Sequence, residues 1–148
     1  MAMISPDDEP KAAHDLAFTW AKGERDGRPA CVATFVPQAH HRGMPGFLHG
    51  GLAATALDET MASVGLVLHQ QRCLTATLEL RYRRAVALDG QPLTVEAWRA
   101  DDRGGSRRYH VRGELRTADG VVCVEAKGLF LAITPTVRDG TADGRQTQ

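Results

Sequence analysis

The pattern of apolar and polar positions divides the chain into short alternating segments around one long apolar stretch. That stretch is residues 51–68, GLAATALDETMASVGLVL, and the glycines and proline of residues 43–51 exclude regular structure before it. Asp58 and Glu59 lie at its middle, where each charge would cost a few kcal/mol in a bilayer. The pattern therefore predicts a helix buried inside a protein rather than a membrane span.

After this helix the apolar period changes from 3.6 residues to 2. In residues 74–82 the even positions are apolar and the odd positions are polar, which predicts a half-buried strand. Three more strands are predicted at 93–99, 109–116 and 121–133, with turns at Asp89-Gly90, 103–105 and Asp119-Gly120. One strand, at 30–36, precedes the helix and follows a turn over 22–29.

The N-terminal part carries the weakest pattern, and residues 12–21, AAHDLAFTWA, favour a short helix. The order of elements predicts an α+β fold, with an antiparallel sheet of five to six strands wrapped around one long central helix. We expect a single domain over 1–148, with its core at about 28–134 and flexible tails at 1–11 and 135–148. One helix cannot cover both faces of such a sheet, so the remaining apolar surface suits a homodimer interface.

Composition narrows the function classes. The chain has 148 residues, 43% hydrophobic and 24% charged, as in an ordinary globular domain. Eighteen Lys and Arg balance eighteen Asp and Glu, which argues against nucleic acid or anionic lipid as a partner. No secretory signal is recognised in MAMISPDDEP, so we expect a cytoplasmic protein. Three widely spaced cysteines, Cys31, Cys73 and Cys123, suggest reduced thiols.

The two acidic residues of the predicted helix lie on different faces. Asp58 shares its face with four small residues, whereas Glu59 lies about 100° further round, on a polar strip. The small residues are Gly51, Ala54, Ala62 and Gly65. A carboxylate whose charged form is poorly solvated there is a candidate base or nucleophile. The alternative is that Asp58 only accepts hydrogen bonds from a neighbouring loop.

His49-Gly50-Gly51 opens the predicted helix. The amides of Gly50, Gly51 and Leu52 would have no intrahelical acceptor, and the missing Cβ atoms would let a ligand oxygen approach, as in an oxyanion hole. Asp58 lies two turns further on, about 10 Å or more away at a rise of 1.5 Å per residue. A site shared between two copies would meet this geometry; the alternative is a tight helix entry with His49 as a structural residue.

The segment FLHGGLAATALDETMA, preceded by HRGMPG and followed by LTATLELRYRR, carries a family resemblance. It resembles the PaaI-type hotdog-fold thioesterases of the 4-hydroxybenzoyl-CoA thioesterase superfamily. Their pattern is HGG, then Asp nine residues after the His, then a strand that opens with Thr or Ser, and all three are present here. The match extends from Ala30 to Ile133.

The resemblance implies a hotdog fold and hydrolysis of an acyl-CoA to the free acid and CoA, in a homodimer or a dimer of dimers. Asp58 would orient or deprotonate the attacking water, or attack directly. The Gly50 amide would polarise the thioester carbonyl from the partner chain, and Thr75 would help to hold the water or the carboxylate. No metal or redox cofactor is implied, since coenzyme A is part of the substrate.

Five further residues are candidate substrate contacts: His41, His49, Gly51, Arg81 and Arg83. Related enzymes often carry an Asn in the loop before HGG, but this chain has no Asn, and His40 or His41 occupies the region. The arginines suit the phosphates of coenzyme A, although a solvated strand face is the alternative. The small helix residues suggest room for an aromatic or medium-chain acyl group.

Two other functions are compatible with the same pattern. A non-catalytic acyl-CoA-binding module would keep the glycines but tolerate Asn at position 58. A hotdog hydratase or dehydratase uses a His and Asp pair on the helix, and the absence of a His before His69 counts against it. A metal site is not expected, because the spacing of His40, His41, His49 and Asp58 matches no standard ligand pattern.

Overall fold

The computed structural model describes residues 15–101 and 107–133, which form one antiparallel sheet of six strands and one long helix. The elements are β1 (Thr19–Arg25), β2 (Arg28–Phe35), a short 3-10 turn (Ala39–His41), α1 (Gly50–His69), β3 (Cys73–Tyr82), β4 (Leu93–Arg99), β5 (Arg108–Arg116) and β6 (Val122–Ala132). Neighbouring strands follow the order β1-β2-β4-β5-β6-β3, and every pair is antiparallel. The predicted α+β fold is confirmed.

Helix α1 packs across β2 to β6 and supplies the centre of the core. Its buried positions recur at intervals of three and four residues, which places one face of the helix against the sheet. Gly113 of β5 allows this close approach, because a Cβ there would lie 3.0 Å from Met61 Sδ and 3.1 Å from Leu57 Cδ2. By length and composition α1 could cross a membrane, but here the apolar side chains on its sheet-facing side, such as Leu57, Met61 and Val64, are buried in the core.

The N-terminal prediction was wrong. Residues 19–25 form strand β1, which pairs along its whole length with β2 through a turn at Asp26-Gly27. Both turn residues have positive φ, 51° at Asp26 and 79° at Gly27, as this tight connection requires. Pairing with β2 outweighs a weak helical period, so the sheet begins at Thr19, nine positions before the expected start of the core at about residue 28. Residues 12–14, the expected tails 1–11 and 135–148, and the turn at 103–105 lie outside the described residues.

Strand β3 does not alternate strictly, because its pairing with β6 shifts register between Thr75 and Thr77. Before this bulge, Cys73 and Thr75 face α1; after it, the residues that face the helix or the core are Leu78, Leu80 and Tyr82. The expectation that every even residue lies on the buried face was therefore wrong at Leu74, which is 61% exposed. The bulge moves an odd-numbered side chain, Thr75, onto the helix side of the sheet.

Candidate functional site

The carboxylate of Asp58 lies on the side of α1 that faces β3. The Thr75 hydroxyl donates a hydrogen bond to Asp58 Oδ1 at 2.7 Å. In the described part of the chain the other oxygen, Oδ2, accepts no hydrogen bond, and the side chain is only half-buried. One oxygen is thus fixed by a neighbouring strand while the other is open to a water molecule or a ligand.

Glu59 is separated from this pair, as the helical wheel predicts. It is exposed, and the hydroxyls beside it are used by the helix itself: Thr55 Oγ1 donates to the Gly51 carbonyl at 2.9 Å, and Ser63 Oγ donates to the Glu59 carbonyl at 2.7 Å. Asp58 is the acid held by strand β3, and Glu59 lies on a different face of the helix.

The N-terminus of α1 is capped by His49, which changes the expected set of open amides. His49 Nδ1 accepts from the Gly51 N–H at 2.9 Å, and its carbonyl accepts from Leu52 and Ala53 at 3.0 and 3.1 Å. The expectation that the Gly51 and Leu52 amides are open was therefore wrong. Among the described residues the Gly50 N–H has no acceptor, so it is the first-turn amide that remains for a ligand.

Gly51 is required by the cap rather than by an open amide. A Cβ at this position would lie 2.9 Å from His49 Cε1 and 3.0 Å from Nδ1, so the ring could not keep its place. The structure thus gives His49 and Gly51 a structural role at the helix start. A contact between His49 and the substrate stays a prediction, because the other ring nitrogen of His49 has no partner among the described residues.

A cavity of about 210 Å³ lies beside the Gly50 end of the helix. Phe47, Tyr82, Arg83 and Arg84 line it together with Gly50. The Tyr82 hydroxyl donates to the Gly50 carbonyl at 2.7 Å. Two aromatic residues, the residue with the unbonded amide and two arginines thus border one small space, a composition that suits a ligand with both an apolar part and an anionic part.

The Gly50 amide and the Asp58 carboxylate are not adjacent within one chain. Gly50 and Asp58 are eight residues apart on the same helix, or about 12 Å along its axis. One carbonyl cannot reach both groups in a single copy. Between them runs β3, an edge strand that pairs on one side only among the described residues and leaves Leu74 and Tyr82 61% and 52% exposed.

His41 is a structural anchor rather than an open substrate contact. It is 3% exposed, its Nδ1 accepts from the Gln38 N–H at 2.8 Å, and its Nε2 lies 2.5 Å from Asp15 Oδ1. Its carbonyl accepts from the His49 N–H at 2.9 Å, so it also fixes the start of α1. Both ring nitrogens of His41 are thus bonded within the chain, and its predicted contact with substrate stays a prediction.

Asp15, His40 and His41 bring three possible ligand atoms within 4.8 Å of one another. A backbone N–H can only donate, so the bond from Gln38 requires a lone pair on His41 Nδ1 and places the ring proton on Nε2, facing Asp15. A metal-bound Nε2 would need the opposite arrangement, with Nδ1 as a donor. The cluster therefore fits a hydrogen-bonded clamp and does not fit a metal site.

The clamp formed by Asp15, His40 and His41 lowers the pKa of the Asp15 carboxyl. The pKa of the Asp15 carboxyl is held below its usual 3.8, mainly by the hydrogen bond from His41 and next by the hydrogen bond from His40 at 3.0 Å. Sequence reasoning missed Asp15 because it lies 25 and 26 positions before its partners, in the N-terminal part, whose pattern is the weakest of the chain.

The predicted arginines separate in the structure. Arg81 pairs in register with Glu125 on the outer face of the sheet, in a groove shared with Glu79 and Lys127, and is not brought to Gly50. Arg83 lines the Gly50 cavity, and its Nε contacts Glu125 Oε1 at 2.9 Å. Of these two predicted phosphate contacts, only Arg83 borders the space next to the helix N-terminus.

The cysteines are free, as expected. Burial raises the pKa of the Cys31 thiol to about 11 and also raises the pKa of Cys73 and Cys123. Thiols of this kind stay protonated at neutral pH, so they are poor nucleophiles. Asp58 is left as the strongest candidate for a reactive group near the helix and β3.

The chain is similar to a known protein family and to solved structures. The model of the thioesterase superfamily matches residues 45–124, a range that contains the HGG segment, Asp58 and Thr75. A crystal structure of a thioesterase superfamily protein is 34% identical, with a TM-score of 0.60 over 69% of this chain, and the match spans 48% of that protein's length.

Two more distant structures share the fold. The protein smu.793 from Streptococcus mutans, bound to acetyl CoA, is 17% identical, with a TM-score of 0.68 over 84% of this chain and 94% of that one. The PaaI protein of Escherichia coli, from the phenylacetic acid degradation operon, is also 17% identical, with a TM-score of 0.60 over 71% and 73% of the two chains. At this identity the likeness shows the architecture alone.

Proposed function

Since the chain belongs to the thioesterase superfamily and has its hotdog fold, we propose that it hydrolyses the thioester of an acyl-CoA to the free acid and coenzyme A. The observation that carries the proposal is the Asp58 carboxylate, fixed through one oxygen by Thr75 and open at the other. The similar protein from Streptococcus mutans is bound to acetyl CoA, which supports a coenzyme A thioester as the substrate class.

In this proposal Asp58 acts on the attacking group. As a general base it takes a proton from a water molecule, whose oxygen then forms a bond to the thioester carbon. As a nucleophile its own oxygen forms that bond, and water later hydrolyses the resulting anhydride. In both routes the C–S bond breaks, the thiolate of coenzyme A leaves and takes up a proton, and no metal or redox cofactor is needed.

Thr75 would set the orientation of the carboxylate. Its hydroxyl occupies Oδ1 of Asp58, so Oδ2 is the oxygen available to hold a water molecule. A side chain held in one orientation needs no rearrangement when charge develops in the transition state.

The Gly50 N–H would stabilise the negative charge that develops on the carbonyl oxygen. Because it lies about 12 Å along the helix from Asp58, we propose that the Gly50 of one copy acts with the Asp58 of another. The exposed apolar residues on the edge strand β3, including Leu74, support pairing of two copies at this strand. The active protein would then be a homodimer or a dimer of dimers.

A panel of acyl-CoA thioesters tests the proposal. Aromatic acyl groups and aliphatic groups of short, medium and long chain are each incubated with the purified protein, and the released thiol is measured against a blank without substrate. We expect hydrolysis of at least one thioester, retained after treatment with a chelator. Binding without thiol release would instead indicate a non-catalytic acyl-CoA-binding module, and hydration of an enoyl-CoA would indicate a hydratase.

A further inference from the structure

Tyr82, at the end of β3, contacts the first residue of α1 in two ways. Its hydroxyl donates to the Gly50 carbonyl at 2.7 Å, across 32 positions of sequence. Its ring atoms lie 3.8 Å from the position that a Cβ on Gly50 would occupy. The ring therefore covers the side of Gly50 that a side chain would otherwise fill, and the hydroxyl fixes the peptide that follows it.

The helix start needs such a restraint. Gly50 and Gly51 have no Cβ, so the backbone at this point has more conformational freedom than at any ordinary residue. The first amides of a helix also lack intrahelical hydrogen bonds that would hold them in direction. His49 holds Gly51 from one side through its ring nitrogen, but the Gly50 N–H has no bond of its own in the described part of the chain.

The Gly50 N–H belongs to the His49–Gly50 peptide, whose carbonyl accepts from the Leu52 and Ala53 N–H groups. On its other side, the orientation of this amide depends on the groups that hold Gly50 itself. A hydrogen-bond donor stabilises a developing oxyanion only if it already points to the right place before the reaction. Tyr82 supplies the one side-chain hydrogen bond to Gly50 within the described residues. Burial raises the pKa of the Tyr82 phenol, so the hydroxyl remains a donor at neutral pH.

We propose that Tyr82 is a positioning residue that aligns the Gly50 N–H with the thioester carbonyl. The inference rests on the proposed function, because it assigns Tyr82 to the oxyanion-binding half of that site. Tyr82 acts through Gly50 and takes no part in the attack on the carbonyl carbon, so its effect belongs to the rate of the chemical step rather than to substrate affinity.

The chain offers a matched pair of variants, since it has two tyrosines. Tyr82→Phe keeps the ring against Gly50 and removes the hydroxyl. Tyr109→Phe removes the other phenol, which donates to the Gln71 side chain beyond the opposite end of α1. Both variants are checked for an unchanged circular dichroism spectrum and unfolding midpoint before kinetics are measured on the best acyl-CoA of the panel.

We expect Tyr82→Phe to lower kcat about tenfold, as for partial loss of one oxyanion donor, with KM changed less than twofold. Tyr109→Phe should leave both parameters within twofold of the wild type. A normal kcat in Tyr82→Phe, a loss that appears only in KM, or an equal loss in Tyr109→Phe would each overturn the proposal.

The Gly50 amide itself gives a readout that does not depend on the reaction. In a ¹⁵N NMR spectrum we expect Tyr82→Phe to shift the Gly50 and Gly51 amide signals and to increase the mobility of the Gly50 N–H, whereas Tyr109→Phe leaves them unchanged. Unchanged signals in Tyr82→Phe would contradict the positioning role even if the protein hydrolyses thioesters. A perturbed amide in a protein that hydrolyses no acyl-CoA would locate the failure in the proposed function, and the catalytic meaning of Tyr82 would fall with it.

Discussion

The Thr75 hydroxyl and Asp58 Oδ1 are 2.7 Å apart, although the two residues are 17 positions apart in the sequence and belong to a strand and a helix. A β-bulge between Thr75 and Thr77 makes this contact. Without the register shift, Thr75 would face away from the helix with Glu79 and Arg81, and Asp58 would have no partner on β3. The bulge is therefore the backbone feature on which the candidate site depends.

Replacement of Thr75 tests the value of this hydrogen bond. Thr75→Val keeps the shape and removes the donor, so we expect kcat for the best acyl-CoA to fall about tenfold, as for the loss of one orienting group, while Thr75→Ser retains most of the rate. Thr94→Val, on strand β4, is the control and should stay within twofold of the wild type, because it lies on another strand, away from the bulge. Equal rates for Thr75→Val and the wild type would show that Asp58 needs no orientation by Thr75.

The His49 cap predicts a measurable loss of stability. In His49→Ala the Gly51 N–H loses its acceptor, and we expect the free energy of unfolding in urea to fall by about 1 kcal/mol. His49→Asn offers another side-chain acceptor and should recover much of this loss. His110→Ala, at an exposed position on β5, is the control and should change stability by less than about 0.5 kcal/mol. All variants are compared at one protein concentration, because association of copies would raise the apparent stability. If His49→Ala is as stable as the wild type, the cap does not hold the helix start.

The clamp between Asp15 and the two histidines predicts a pH dependence. The pKa of the Asp15 carboxyl is lower in the folded protein than its usual 3.8, so the ionised form favours folding. This contribution is present at pH values above about 4 and is lost as the pH falls through 3.8 towards the folded pKa. We therefore expect wild-type protein to melt at a higher temperature than Asp15→Asn at pH 6, and the difference to shrink steadily below about pH 4. A difference in Tm that stays constant from pH 6 to pH 3 would contradict the clamp.

The parts of the fold that follow from local pattern could be predicted, and the parts that depend on long-range pairing could not. The apolar run around Asp58 and the alternation in residues 93–99 identify α1 and β4 closely, because burial on one face imposes a period on the sequence. Strand β1 carries no such period, since most of it is exposed, and only its backbone pairing with β2 makes it a strand.

The candidate site shows the same division. Asp58 and Gly50 stand in a motif whose spacing sets their positions on one helix, so both could be found in the sequence. The bulge that turns Thr75 towards α1 leaves no mark on the pattern of residues 74–82, which reads as strict alternation. Likewise Tyr82 looks like an apolar strand position, and its bond to the Gly50 carbonyl appears only when β3 and the helix start are brought together.

The most direct test of the account is the rate of acyl-CoA hydrolysis by Asp58→Asn compared with Glu59→Gln. Asn at position 58 can still accept the Thr75 hydrogen bond, so the fold is kept while the basic and nucleophilic oxygen is removed. We predict a fall in kcat of a hundredfold or more for Asp58→Asn and a change of less than twofold for Glu59→Gln, whose carboxylate lies on the neighbouring, exposed strip. Near-normal hydrolysis by Asp58→Asn, or a larger loss in Glu59→Gln, would contradict the assignment of Asp58 as the group that drives the reaction.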